Sequence, residues 1–272
     1  MITIQIAKIN IGVDFLFEDQ FYNIESFQVD EKEQYRIKSY SKEFSIPQEE
    51  PDRKTEFYDI YETDTSVIQV QKNKGAILGA IVYKGNEIDL YLKNVTFVTE
   101  YLLSQYALLY ILGQKSNALF IHGSSIVYQG KGILFCAKSG TGKSTQASLW
   151  RTFTDAVSLN DDKNIIVFEE NSLRLYSNPW SGKHQIHQNI VAPLTCVVFL
   201  SQARKNRVDR LEGMETMRLL LGQIEPPKKA SVENWNTMVD QVLKLPMYTY
   251  GCNMKPEAVT ILKERLERDL CL

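Results

Sequence analysis

One segment constrains this chain more than any other: Ala137-Lys138-Ser139-Gly140-Thr141-Gly142-Lys143-Ser144-Thr145. The apolar run Ile133–Ala137 before it reads as a strand, and Lys143–Thr152 after it reads as a helix. Gly140 and Gly142 let backbone N–H groups turn inward and leave room for a bulky anion. The helix N-terminus adds its dipole to the same point. Lys143 supplies a charge for β- and γ-phosphates, and the Ser144 hydroxyl is a ligand for Mg²⁺. This is the strand–loop–helix context of a P-loop, with Ser139, Gly140, Thr141, Gly142, Lys143, Ser144 and Thr145 as expected nucleotide contacts. The first glycine of the usual pattern is replaced by Ala137, which fits if its φ is negative.

Two further elements lie at suggestive spacing. Asn160-Asp161-Asp162-Lys163 follows a short predicted strand, Ala156–Leu159. At that end of a parallel sheet the carboxylates face the same crevice as the loop. One can hold Mg²⁺ and the other can accept a proton from an attacking hydroxyl, and the sequence leaves open which does which. Upstream, Ile121-His122-Gly123-Ser124-Ser125 falls on Leu119–Tyr128, which reads as one strand paired with that of the loop.

Together these spacings resemble the catalytic domain of the HPr serine kinase/phosphorylase family, strongest over residues 119–163. The loop is also similar to that of ATP-dependent phosphoenolpyruvate carboxykinase, which shares the fold. The resemblance implies an α/β, carboxykinase-like P-loop domain with a mixed sheet. It implies Lys143 on phosphates, Ser144, Asp161 and Asp162 around a metal, and His122 near the transferred phosphoryl group. Cofactors would be ATP and Mg²⁺, and the acceptor a hydroxyl, serine by preference, of a protein or peptide. Some proteins with a similar C-terminal part accompany peptide modification. The long glycine- and arginine-containing signature that follows the Asp-Asp pair in HPr kinases is not found here, so HPr itself is not the expected acceptor. Carboxykinase activity is not expected either, because the chain is much shorter. The loop Ser177–His184 resembles a P-W-S-G-K segment of such proteins, and its Lys183 is expected to close over the γ-phosphate or the acceptor. The alternative reading is a nucleotide-gated binding module with little or no transfer.

The remainder of the chain sets the frame. Residues 1–95 carry short alternating segments, among them Ile2–Ile9, Gln34–Tyr40, Ile77–Tyr83 and Glu87–Leu92, and read as a β-rich module. A helical pattern over Phe97–Gly113 opens the second domain, 96–272. With 31 basic against 33 acidic residues, nothing suggests a nucleic-acid partner. No apolar run is long enough for a membrane span, and Met1–Phe17 lacks the features of a signal peptide, so a cytoplasmic location is expected. Four cysteines without a C-x-x-C pair read as reduced thiols. Self-association into a homo-oligomer is left open.

Overall fold

The computed structural model describes residues 1–114, 117–182, 186–225 and 232–270. They fall into two compact units, Met1–Ile111 and Leu112–Leu272. The first is a single mixed sheet of β1 (Ile2–Ile6), β2 (Ile9–Asp14), β3 (Tyr35–Tyr40), β4 (Arg53–Lys54), β5 (Tyr58–Glu62), β6 (Val67–Asn73), β7 (Ala76–Lys84) and β8 (Glu87–Leu92). Their order is β1-β2-β3-β8-β7-β6-β5-β4, and β3 runs parallel to both its neighbours. The alternation of Ile2–Ile9 is not one strand. Ala7 and Lys8 take φ of 49° and 63°, and the chain reverses into a hairpin. A two-residue turn preserves the period of two, and without Gly, Asn or Asp it carries no turn signal.

Helix α1 (Phe97–Gly113) has its interior residues Leu103, Ala107, Leu108 and Ile111 fully buried. The sequence placed it beyond a boundary at residue 95, yet all but its last two residues group with the first unit. Gly79 on β7 leaves room for Leu103, and the rings of Tyr83 and Tyr110 lie 4.3 Å apart. The buried Glu100 accepts the backbone N–H groups of Leu16 and Phe17 at 2.7 and 2.8 Å.

The second unit is an α/β sandwich. Its strands are β9 (Ala118–His122), β10 (Ser124–Tyr128), β11 (Lys131–Cys136), β12 (Val157–Asn160), β13 (Lys163–Glu169), β14 (Ser172–Tyr176), β15 (Val191–Gln202), β16 (Arg207–Arg210), β17 (Ile224–Glu225) and β18 (Met247–Cys252). Its helices are α2 (Lys143–Phe153), α3 (Met214–Leu221), α4 (Val232–Leu243) and α5 (Glu257–Leu270). The sheet runs β12-β10-β11-β15-β14-β13-β9-β17, with β18 also on β15 and β16 on β18. The two halves share β15. Its first residues pair antiparallel with β14, and the rest runs parallel to β11 and β18.

Alternation along β11 and β15 sorts the core into two layers. Ile133, Phe135, Cys196 and Val198 pack with Ala147 and Trp150 of α2 and Leu262 and Leu266 of α5. Leu134, Cys136, Val197 and Phe199 pack with Leu220 of α3 and Met238 and Val242 of α4. Each fully buried Leu, Ile, Val or Phe among them contributes about 1.5–3 kcal/mol. The expected single strand Leu119–Tyr128 is instead two, broken at Gly123, and His122 pairs with β13 and not with the loop's strand β11. A Cβ at Gly123 would sit 2.8 Å from the Phe135 carbonyl oxygen, so the break needs glycine. Arg207–Arg210 forms strand β16, paired antiparallel with β18. No helix among the described residues is long and apolar enough to cross a membrane.

Candidate functional site

The loop after β11 enters α2 through Gly140 at φ 79° and Gly142 at φ 117°, values open to glycine at little steric cost. Ala137 is not among the residues with positive φ, so it fits where a glycine is usual. The side-chain amide of Gln202 donates weakly to the carbonyls of Gly140 and Thr141, at 3.4 and 3.5 Å. Lys143, nearly buried, folds over the loop and donates to the Ala137 carbonyl at 2.9 Å. Burial pulls its ammonium below the ordinary lysine range, against the opposing pull of the Asp162 carboxylate.

β12 runs antiparallel to β10, which runs antiparallel to β11, so β12 ends on the same side as β11. Asp161 and Asp162 therefore arrive beside the loop. Asn160, fully buried, shapes their turn: its Oδ1 accepts the N–H groups of Asp162 and Lys163, both at 2.9 Å. This is an Asx turn, and Asn immediately before the Asp pair was its available signal. Ser124 Oγ donates to the Asp161 carbonyl at 2.9 Å and lies 3.5 Å from Ser144 Oγ. The acidic turn and the first turn of α2 thus meet through one hydroxyl.

The two carboxylates differ. Asp162 Oδ1 lies 2.9 Å from Nδ1 of His122. Burial opposes its charge, but the His122 hydrogen bond, with the charges of His122, Lys163 and Lys143, holds it below the usual carboxylate range. Burial also lowers the Lys163 ammonium, which pairs with Glu225. Asp161, 5% exposed, accepts the Gly182 N–H at 2.6 Å. That contact is set by a pinned segment. Ser177 Oγ donates to the Leu159 carbonyl at 2.7 Å, Asn178 Nδ2 to the Lys163 carbonyl at 2.8 Å, and the Trp180 N–H to Asn178 Oδ1 at 3.0 Å. Nδ1 of the buried His187 lies 2.9 Å from Ser181 Oγ.

One cleft results, lined by His122, Ser139, Gly140, Gly142, Lys143, Ser144, Thr145, Asp161, Asp162 and Gly182. Thr141 faces the neighbouring clefts instead. Lys183 lies outside the described residues. Ser124, Asn160 and Gly182 are the positioning residues that motif spacing alone did not assign. The donor set suits a hard cation: Ser144 offers a hydroxyl, and Asp161 and Asp162 offer carboxylates. Among the described residues no three His, Cys, Asp or Glu side chains are grouped to hold a metal. An Mg²⁺ here would take one or two carboxylates and complete its shell with water and phosphate oxygens.

Residues 93–248 match the model of a family described as SynChlorMet cassette protein ScmC, over more than half of the chain. The chain belongs to the ScmC family. That family is distinct from the HPr serine kinases that the motif spacing resembles. No curated protein matches this ScmC-family chain. Among solved structures, the HPr(Ser) kinase/phosphatase from Coxiella burnetii is similar at 13% identity, with a TM-score of 0.32, over 55% of this chain and 98% of that one. The matched ScmC region contains every element that builds the cleft, from His122 to Gly182.

Proposed function

We propose that this ScmC-family chain is an ATP- and Mg²⁺-dependent phosphotransferase with a carboxykinase-like P-loop domain. Its acceptor is a hydroxyl, serine by preference, of a protein or peptide, in keeping with a role in peptide modification. The observation that carries the reading is the shared cleft: a glycine loop with Lys143 and Ser144 on one side, and two carboxylates in different environments on the other. A loop that merely turned the chain would not need a nearly buried lysine facing an acidic pair.

In this reading the loop's N–H groups and the α2 N-terminus hold the phosphates, and Lys143 leaves the Ala137 carbonyl to neutralise the β- and γ-oxygens. Ser144 and Asp161, linked through Ser124, supply the oxygen donors for the metal. Bound Mg²⁺ would offset charge on the phosphate oxygens. The acceptor oxygen attacks the γ-phosphorus, the bond to the β-bridging oxygen breaks, and ADP leaves with that electron pair. The hydroxyl proton passes to the Asp162–His122 pair. A carboxylate is basic enough to take a proton released as the acceptor oxygen bonds to phosphorus, and alignment adds to its effect.

The test is incubation with γ-labelled ATP, Mg²⁺ and a cell extract. Label is expected on a protein or peptide, and Asp161→Asn and Asp162→Asn should each lower its transfer at least about 100-fold. Folded variants that transfer label at the wild-type rate would remove the acidic pair from the chemistry.

A further inference from the structure

A second cleft opens on the other flank of the same loop. It shares Gly140, Gly142 and Thr145 with the first, but its far wall is made of Ala203-Arg204 and Cys252–Lys255. These are the turns that follow β15, which runs parallel beside β11, and β18, which runs parallel beside β15. All three turns therefore lie at one end of the parallel strands, where α/β sheets bind their ligands.

The far wall is built, not incidental. The Asn253 N–H donates to Asn206 Oδ1 at 2.9 Å, the Ala203 N–H to the Cys252 carbonyl at 3.0 Å, and the Lys255 N–H to Asn253 Oδ1 at 3.0 Å. Gln146 on α2, 2% exposed, donates from Nε2 to the Asn253 carbonyl at 3.2 Å. These bonds tie both turns to each other and to the helix that starts at the loop. Their exposed side chains include Arg204, Met254 and Lys255, and no acidic side chain lines the cleft among the described residues.

We propose that this second cleft is the nucleoside subsite, taking the ribose and base of the triphosphate whose phosphates lie on the loop. The inference rests on the phosphotransferase reading and adds to it where the rest of the nucleotide goes. Lys143, Ser144 and both carboxylates line only the first cleft, so the γ-phosphate end belongs there. Gly142 and Thr145 line both, so the polyphosphate crosses the N-terminus of α2 into the second. There Arg204 and Lys255 offer cationic donors and a flat guanidinium, and Met254 an adaptable apolar face, for a heteroaromatic base and its sugar.

Binding of Mg-ATP and of Mg-tripolyphosphate, compared by titration calorimetry, tests this. The wild-type protein should bind ATP at least about tenfold more tightly than tripolyphosphate, since only ATP fills the second cleft. Ala203→Trp, which fills the cleft, should erase that preference and change tripolyphosphate affinity by no more than about threefold. The double variant Arg204→Ala/Lys255→Ala should also erase most of the preference, and it decides the matter if Ala203→Trp does not fold. A wild-type protein without the preference, or variants that keep it, would overturn the nucleoside subsite while leaving the loop as a phosphate site. Failure of the wild-type protein to bind either ligand would overturn the nucleotide reading and the subsite with it.

Discussion

Gly182→Ala is the most exacting perturbation of the acidic pair, because it adds one methyl group and removes no catalytic side chain. A Cβ at Gly182 would lie 3.1 Å from Asp161 Oδ2, 3.2 Å from Asp162 Cβ and 3.3 Å from Asp161 Cγ. To recover ordinary contact the Asp161 carboxylate must retreat by roughly 0.3 Å. Scaling the ~100-fold loss that follows a ~1 Å misplacement gives about a fourfold fall in kcat. If the retreat also breaks the 2.6 Å bond from the Gly182 N–H, a charge-assisted hydrogen bond is lost. That is worth about 1.5–3 kcal/mol, which sets an upper bound near 100-fold if all of it is felt in the transition state. The KM for ATP should stay within about twofold, since the proposed mechanism holds the phosphates on the loop and not on residue 182. Steady-state release of labelled phosphate from ATP, or label transfer once the acceptor is in hand, reads both constants. A folded Gly182→Ala protein with wild-type kcat would show that the spacing of the pair does not matter, and a rise in KM alone would place Gly182 in nucleotide binding.

Two further outcomes follow from the charges. Lys143→Met should abolish Mg-ATP binding yet leave Tm unchanged or higher by a few degrees at neutral pH. Burial lowers this lysine's pKa in the fold, so its charged form costs stability there, and the unfolded chain binds the proton more readily. A marked fall in Tm would show that the ammonium holds the loop together. Asp162 has the opposite sign: with its pKa lowered in the fold, its stabilising share is full above about pH 4 and is lost as pH falls through the folded value. Removing the His122 hydrogen bond and charge leaves less to offset burial, so His122→Ala should shift acid unfolding to higher pH, and an unmoved midpoint would refute this account.

The legible parts of the fold were those with local chemistry. The glycine loop and the helix it opens, α2, follow from Gly140 and Gly142, whose positive φ values other residue types adopt only at a cost. The pattern over Phe97–Gly113 was long enough to read as helix α1. What stayed hidden depends on partners distant in sequence. The alternation of Leu119–Tyr128 does not say that β9 and β10 join different halves of a sheet; that rests on their partners, β13 and β17 for the one and β11 and β12 for the other. The same holds for β16, a short charged strand that exists because β18 lies beside it. In the site, the acidic pair was visible as a pair, but the inequality of its members was not. That comes from His122, from Gly182 and from the buried Asn160 beneath them.

The shared strand β15 has a mechanical consequence. The glycine loop hangs from one half of the sheet and His122 from the other, and a single continuous backbone, Val191–Gln202, belongs to both. Neither half can melt away from this beam without baring hydrogen-bonding groups of a strand that the other half still needs. The two sides of the cleft therefore stand or fall as one cooperative block, and the geometry between glycine loop and acidic pair is stiff for the same reason that the unit is. Motion that opens the cleft must come from the turns at the strand ends, not from hinging of the halves.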